Sequence, residues 1–136
     1  MINGDPTTPI VIPLTDVYAS QKGELSWQDK KLLLTCDPHQ YHFSAAAQFQ
    51  LAGISERSRR IEVALTVLSG RIAVGWYVRD AHEFAVKESA GRGKHIVDLI
   101  VPAGTRGGQL IFQNEAASAS RVLIEAIAIL PNRPAA

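Results

Sequence analysis

A chain of 136 residues is long enough to bury one substantial core and too short for two ordinary ones, so we expect a single domain. Hydrophobic residues make up 46% of the chain and charged residues 20%, which is a globular rather than a disordered balance. The formal net charge of +1 disfavours a general nucleic-acid binder, because such affinity rests on many Lys and Arg contacts to phosphate.

The single cysteine, Cys36, cannot form a disulfide within the chain, which fits a reducing compartment. The first residues lack the basic and apolar regions of a signal peptide, and no apolar run approaches the roughly 20 residues that span a membrane. We therefore expect a cytoplasmic chain without membrane insertion, or a secreted or surface-exposed one if it belongs to a longer protein. The domain is expected at residues 14–130, after an extended lead-in or linker at 1–13 and before a C-terminal tail at 131–136.

Prolines at positions 6, 9 and 13 predict an extended lead-in or an edge strand, because a missing amide donor is tolerated there. Between residues 40 and 51, apolar and polar residues alternate, and only Ala46 breaks the pattern. Period-two alternation is typical of a half-buried strand. Its apolar positions are Tyr41, Phe43, Ala45, Ala47, Phe49 and Leu51.

The clearest alternation lies between residues 61 and 79, on both sides of a Ser69-Gly70 turn. This pattern predicts a hairpin of two strands, each with one apolar face. We expect Trp76 to belong to the core with the residues on its side of the second strand. Those core-facing residues are Ile72, Val74 and Val78, and the opposite face carries Arg71, Ala73, Gly75, Tyr77 and Arg79.

Further extended segments are predicted at residues 83–88, 96–101 and 110–113, separated by glycine-rich turns. The last segment, 121–130, is apolar throughout and suits either a strand or a helix. We predict a strand, because Pro131 stops it and every well-patterned neighbour is β. Roughly seven or eight short strands between Gly, Pro and Ser turns indicate an all-β fold, an antiparallel β-sandwich of jelly-roll type.

The pattern over residues 61–76 resembles that of a family of bacterial β-sandwich modules. These modules are carbohydrate-binding-like jelly rolls that accompany glycosyltransferases and FkbM-type methyltransferases of surface-polysaccharide pathways. Segments 41–51 and 110–114 and the closing strand after Ser120 extend the resemblance to about residues 38–130. The resemblance implies jelly-roll topology and a carbohydrate-binding role, but not a particular sugar.

Tyr77 is the first candidate for ligand binding. Shallow sugar sites need flat aromatic faces and planar polar side chains, and Tyr77 shares its predicted face with Arg71 and Arg79. The small Ala73 and Gly75 would leave a groove beside the ring. The alternative is a solvated outer face with one ordinary tyrosine.

Other candidates lie at strand ends and in polar surroundings. Trp27 stands among polar residues, so we expect an exposed ring that could serve as a ligand platform. Gln113 and Asn114 could offer amide hydrogen bonds to a sugar, although a turn-stabilising Asn114 is the alternative. Asp98 is either a paired residue on a half-exposed face or a ligand acceptor.

No catalytic or metal-binding constellation emerges from the sequence. His39 and His42 are three residues apart, which on a strand places them on opposite faces, and no cysteine or carboxylate cluster completes a zinc site. Residues 91–94 lack the spacing of a phosphate-binding loop, and no pair of acids suggests glycoside hydrolysis. The basic run 57–60 predicts a solvated loop, with an anionic partner as the alternative. We expect no enzymatic activity, no cofactor and no metal at these sites, while a structural calcium ion held by distant loops stays open.

The leading hypothesis is a non-catalytic carbohydrate-binding-like module linked to glycan synthesis or modification, with a glycan or oligosaccharide as its partner. The proline-containing segments 7–9 and 131–134 look like linkers to a partner enzyme domain. The alternative is a protein-interaction or oligomerisation β-sandwich in which the Tyr77 face or an apolar edge packs against another chain. A small enzyme is the third hypothesis.

Overall fold

Eleven strands and one short 3₁₀ helix account for most of the residues that the structure describes. The structure is a computed structural model and describes residues 9–48, 59–105 and 107–131. None of its helices is long and apolar enough to cross a membrane. The strands are β1 (Ile10–Ile12), β2 (Val17–Ala19), β3 (Gly23–Gln28), β4 (Lys31–Cys36), β5 (Phe43–Ala47), β6 (Arg59–Ser69), β7 (Ile72–Val78), β8 (Glu83–Ala90), β9 (Gly93–Val101), β10 (Gln109–Asn114) and β11 (Arg121–Pro131).

The strands form two antiparallel sheets that pack face to face. The six-stranded sheet has the order β3-β4-β11-β6-β9, with β1 also paired to β11. The five-stranded sheet has the order β2-β5-β10-β7-β8. The predicted all-β, jelly-roll-like sandwich is therefore confirmed.

The prediction of a hairpin over residues 61–79 is wrong, although both of its strands exist. β6 pairs with β9 and β11, whereas β7 pairs with β8 and β10 in the other sheet. The Ser69-Gly70 turn therefore carries the chain across the sandwich, with Gly70 at a φ of 84°. Two strands with one apolar face each satisfy either arrangement, so alternation alone could not distinguish a hairpin from a crossover.

The core lies between the two sheets and includes Trp76. Trp76 is 1% exposed and its indole Nε1 donates a hydrogen bond to Gly107 O at 3.0 Å. Ile72 and Val74 are fully buried beside it, and Val78 is half-buried at the end of β7. The prediction that this face of β7 belongs to the core is confirmed.

Other predicted strands are present, but one of them begins later than expected. The apolar segment after residue 120 is strand β11, as predicted, and β1 matches the edge-strand alternative for the proline-rich start. The strand predicted from residue 40 begins only at Phe43, because residues 37–42 form a loop, and its positions 49–51 lie outside the described residues.

The β3–β4 hairpin was not predicted. Its two-residue turn has positive φ at both Asp29 and Lys30, as a type I′ turn requires.

Truncating Trp76 tests the assignment of the core face. We expect Trp76→Ala to lower the free energy of unfolding by about 3–5 kcal/mol, because it removes a large buried ring and leaves a cavity. Chemical denaturation measures the loss. The matched control is Trp27→Ala, whose ring is 55% exposed and should matter by about 0.5 kcal/mol. Equal losses for the two variants would contradict the assignment.

Candidate functional site

Three aromatic rings form a cluster on the outer face of the five-stranded sheet. Phe43, Tyr77 and Phe84 come from β5, β7 and β8, and each is partly exposed. The Tyr77 ring centroid lies 5.2 Å from that of Phe43 and 5.2 Å from that of Phe84, and the Phe43–Phe84 distance is 5.6 Å. All three pairs are edge-to-face, the geometry that the ring quadrupoles favour. We call these residues the ring cluster.

Phe84 reaches this face because β8 carries an irregularity opposite β7. Trp76 pairs with Val86, but Tyr77 pairs with Phe84, so Ala85 is the extra residue of a bulge. Val86 packs towards the core while Phe84, two residues earlier, turns outward. Gly75 provides the space for the ring, since a Cβ there would lie 2.6 Å from Phe84 Cδ1.

Phe43 also turns outward because of a bulge, in this case in β5. The register between β10 and β5 shifts between Phe112 and Gln113, so that Gln113 faces Phe43 and Phe112 faces Ala45. Ala45 packs in the core, whereas Phe43 contacts Tyr77 and Phe84. The sequence interpretation, which placed Phe43 and Ala45 on one face, is therefore wrong at this bulge.

A layer of small and aliphatic side chains lies beneath the ring cluster. Ala46, Ala73 and Ile111 are between 0% and 7% exposed, yet none of them belongs to the core between the sheets. They lie on the outer face and are shielded by the larger side chains around them. The groove that the sequence predicted over Ala73 and Gly75 is therefore filled, and the Phe84 ring covers Gly75.

Polar and aromatic side chains border the ring cluster. Lys87 Nζ lies 5.1 Å from the centroid of the Phe84 ring and 3.4 Å from Gln113 Oε1. Tyr18 Oη donates a hydrogen bond to Gln109 Oε1 at 3.0 Å, and Gln109 pairs with Tyr77 in the sheet. Tyr18 is 48% exposed, so it presents an open ring next to hydrogen-bonding groups. These side chains and the ring cluster form what we call the ring surface.

The two arginines predicted beside Tyr77 differ in how far they lie from the ring cluster. Arg71 precedes β7, about 20 Å along an extended chain from Tyr77, and its Nε lies 3.6 Å from Glu115 Oε1. Arg79 directly follows β7 and is exposed in the turn to β8. Only Arg79 is therefore close in sequence to the ring cluster.

A shallow cleft of about 510 Å³ opens beside that turn, at the end of β7 and β8. Its described lining carries two carboxylates but no aromatic side chain, so it offers no stacking surface. The lining residues are Val78, Asp80, Ala81, Glu83, Ala85, Gly104 and Thr105.

Trp27 and Asp98 both belong to the six-stranded sheet. Trp27 lies on edge strand β3 opposite Leu32, so the structure does not bring it together with Tyr77. Its ring is exposed, as expected. Asp98 Oδ1 lies 3.7 Å from Arg60 Nε on a half-exposed face, which matches the paired alternative. Of the basic run, Arg59 and Arg60 open β6, and residues 57 and 58 lie outside the described residues.

Asn114 is fully buried and engaged in hydrogen bonds within the protein. Its Nδ2 donates to the backbone oxygens of Asp37, His39 and Ser118 at 3.0 to 3.2 Å. Its Oδ1 accepts from the Ser120 hydroxyl at 2.7 Å and from the backbone N–H of Ala116. The side chain therefore organises loops rather than facing solvent. This arrangement corresponds to the turn-stabilising alternative.

Gln113 is 6% exposed and connects the ring surface to the loop before β5. Its Nε2 donates to Tyr41 O at 3.0 Å, and its Oε1 faces Lys87. Both ends of the Gln113 amide are therefore engaged within the protein.

Residues 37–42, which we call the His–Asp loop, bring two histidines and one carboxylate together. The Nδ1 atoms of His39 and His42 each lie 3.3 Å from Asp37 Oδ2, and the imidazole rings stack with centroids 4.9 Å apart. The expectation that the histidines lie on opposite faces is wrong, because this segment is a loop with a positive φ of 70° at Tyr41. Desolvation raises the pKa of Asp37, but hydrogen bonds from His42 and His39 outweigh it and hold that pKa below its ordinary value.

No protein-family model and no curated protein matches this chain. Solved structures do match. A family 29 carbohydrate-binding module from Piromyces equi has 16% identity and a TM-score of 0.66, with 90% of this chain and 89% of that chain covered. A variant of a family 29 module in complex with cellulohexaose has 15% identity and a TM-score of 0.68, with 92% of both chains covered. At this identity the likeness shows the shared β-sandwich fold.

Changing Asn114 tests whether one buried amide holds the surrounding loops. We expect Asn114→Asp to lower the free energy of unfolding by about 3 kcal/mol or more, because a carboxylate would face three carbonyl oxygens. Urea denaturation measures this, and hydrogen exchange should show faster opening of residues 37–42. The control is Gln40→Ala, which removes one exposed hydrogen bond to Glu115 O and should cost about 1 kcal/mol or less. An Asn114→Asp variant as stable as this control would rule out the organising role.

Proposed function

We propose that this protein is a non-catalytic carbohydrate-binding module and that the ring surface is its ligand platform. The observation that carries the proposal is the concentration of Tyr18, Phe43, Tyr77 and Phe84 on one sheet face, beside hydrogen-bonding side chains. Among the other described residues, Trp27 is also exposed, but it lies on the other sheet and pairs with the buried Leu32.

The chemistry of this surface suits an oligosaccharide. The C–H faces of a pyranose ring pack against aromatic rings, and sugar hydroxyls pair with amide and ammonium groups. Tyr18 supplies an exposed ring, while Gln109 and Lys87 supply an acceptor and a donor at its borders. The ring cluster is mutually packed, so the platform is already formed before a ligand arrives, which limits the entropy lost on binding.

The structural neighbours support the ligand class. They are carbohydrate-binding modules of family 29, and one of them is in complex with cellulohexaose. We therefore choose cellulohexaose as the first probe. The resemblance of residues 61–76 to modules of surface-polysaccharide pathways supports a setting in glycan synthesis or modification, next to a catalytic domain.

Titration calorimetry with cellulohexaose tests the platform. We expect Tyr18→Ala and Tyr77→Ala each to weaken binding by about 1–3 kcal/mol, the range for losing one stacking ring and its contacts. Tyr18→Ala should leave stability nearly unchanged, because the ring is half-exposed. Tyr77→Ala should also lower stability by about 1–2 kcal/mol, since its ring packs against two others. Arg79→Ala should weaken binding in a salt-dependent way only if the glycan carries a carboxylate.

Trp27→Ala is the matched control, because it removes an exposed ring from the other sheet. If Trp27→Ala loses binding and Tyr18→Ala retains it, the ligand binds at β3 and not at the ring surface. A glycan array extends the test beyond glucose polymers, and a wild-type chain that binds no glycan on it would refute the carbohydrate role.

The second candidate function is self-association through the six-stranded sheet. The observation in its favour is the outer face of edge strand β9, where Ile96 is 64% exposed and Ile100 is 48% exposed. Sedimentation analysis tests it. Ile96→Lys should convert a dimer to a monomer without affecting glycan binding, and a monomeric wild-type chain would contradict this function.

A further inference from the structure

We propose that the His–Asp loop holds one divalent transition-metal ion of the zinc class. The ligands would be Asp37 Oδ2, His39 Nδ1 and His42 Nδ1, with the remaining coordination position open to solvent. Ligand atoms of these three residues lie within 4.8 Å of one another. The ion is distinct from the glycan role of the ring surface and does not depend on it.

Two of the three distances between ligand atoms match a shared ion. Each imidazole Nδ1 lies 3.3 Å from the same carboxylate oxygen, Asp37 Oδ2. A tetrahedral zinc ion with bonds of about 2.0–2.1 Å keeps neighbouring ligand atoms about 3.3–3.4 Å apart. Charge-assisted hydrogen bonds between these groups are shorter, at about 2.7–2.9 Å. The two observed separations therefore fit coordination of one ion as well as direct hydrogen bonding.

The loop is organised in advance by groups behind the ligands. The backbone N–H of His39 donates to Asp37 Oδ1 at 3.2 Å, which leaves Oδ2 for the two imidazoles. Asn114 Nδ2 holds the carbonyls of Asp37 and His39, and the Asn114 N–H donates to His42 O at 3.0 Å. Such supporting hydrogen bonds orient metal ligands and raise affinity.

The ligand set also selects the class of metal. Two imidazoles and one carboxylate suit Zn²⁺ and its transition-metal neighbours, whereas Ca²⁺ and Mg²⁺ require mostly oxygen ligands. Asp37 is 23% exposed, His42 is 37% exposed and His39 is 64% exposed at their side chains, so an ion can enter from solvent.

Zinc titration of the metal-free chain by calorimetry tests the proposal, with Co²⁺ absorption as a report on coordination geometry. We expect one ion per chain, and we expect Asp37→Asn and His42→Gln each to weaken binding more than about tenfold. The matched control is His82→Asn, which replaces an exposed histidine at a φ of 55° with a residue that tolerates this conformation. It should bind zinc like the wild type.

Circular dichroism of each variant shows whether it is folded, and Phe84→Ala separates this site from the ring surface. We expect Phe84→Ala to lose cellulohexaose binding and keep zinc binding. The proposal is overturned if the folded wild-type chain takes up no stoichiometric Zn²⁺. It is also overturned if Asp37→Asn and His42→Gln both remain folded and bind zinc as tightly as His82→Asn.

Discussion

The hydrogen bonds of the buried Asn114 amide hold together the end of the sandwich that carries the His–Asp loop. Three backbone oxygens, from Asp37, His39 and Ser118, converge on its Nδ2. A buried amide must satisfy its donors, and no regular ladder supplies carbonyls at this strand end. The loop before β5 therefore has one folded arrangement. That arrangement fixes the two histidines against Asp37 and starts β5 at Phe43.

The two sheets bury similar inner faces but expose different outer ones. The five-stranded sheet carries small residues under a layer of rings, so it has a thin apolar layer of its own outside the main core. Packing among these rings gives them fixed positions without burying them fully. A surface that is rigid, aromatic and still accessible is what a stacking ligand requires, so under the proposed function Tyr77 serves both stability and recognition.

Sequence reasoning succeeded where one strand face is regular and fully buried. The alternation around Trp76 specified a core strand, and Pro131 together with the β pattern of the neighbouring segments favoured a strand over a helix for β11. Sequence reasoning failed where the structure depends on contacts between residues that are far apart in the sequence. A strand with one apolar face does not reveal which sheet it joins, so the β6–β7 crossover looked like a hairpin. The His–Asp loop was missed because its shape is set by Asn114, more than 70 residues away.

The bulge at Ala85 also bears on how such a surface can change during evolution. Because side chains alternate along a strand, one extra residue exchanges inward and outward positions on one side of it. Here it sends Phe84 outward while Val86 stays against the core. Single-residue insertions and deletions at this edge strand would thus rearrange the exposed rings without altering the residues that hold the two sheets together. The ring surface would then diversify by changes in chain length as well as by substitution.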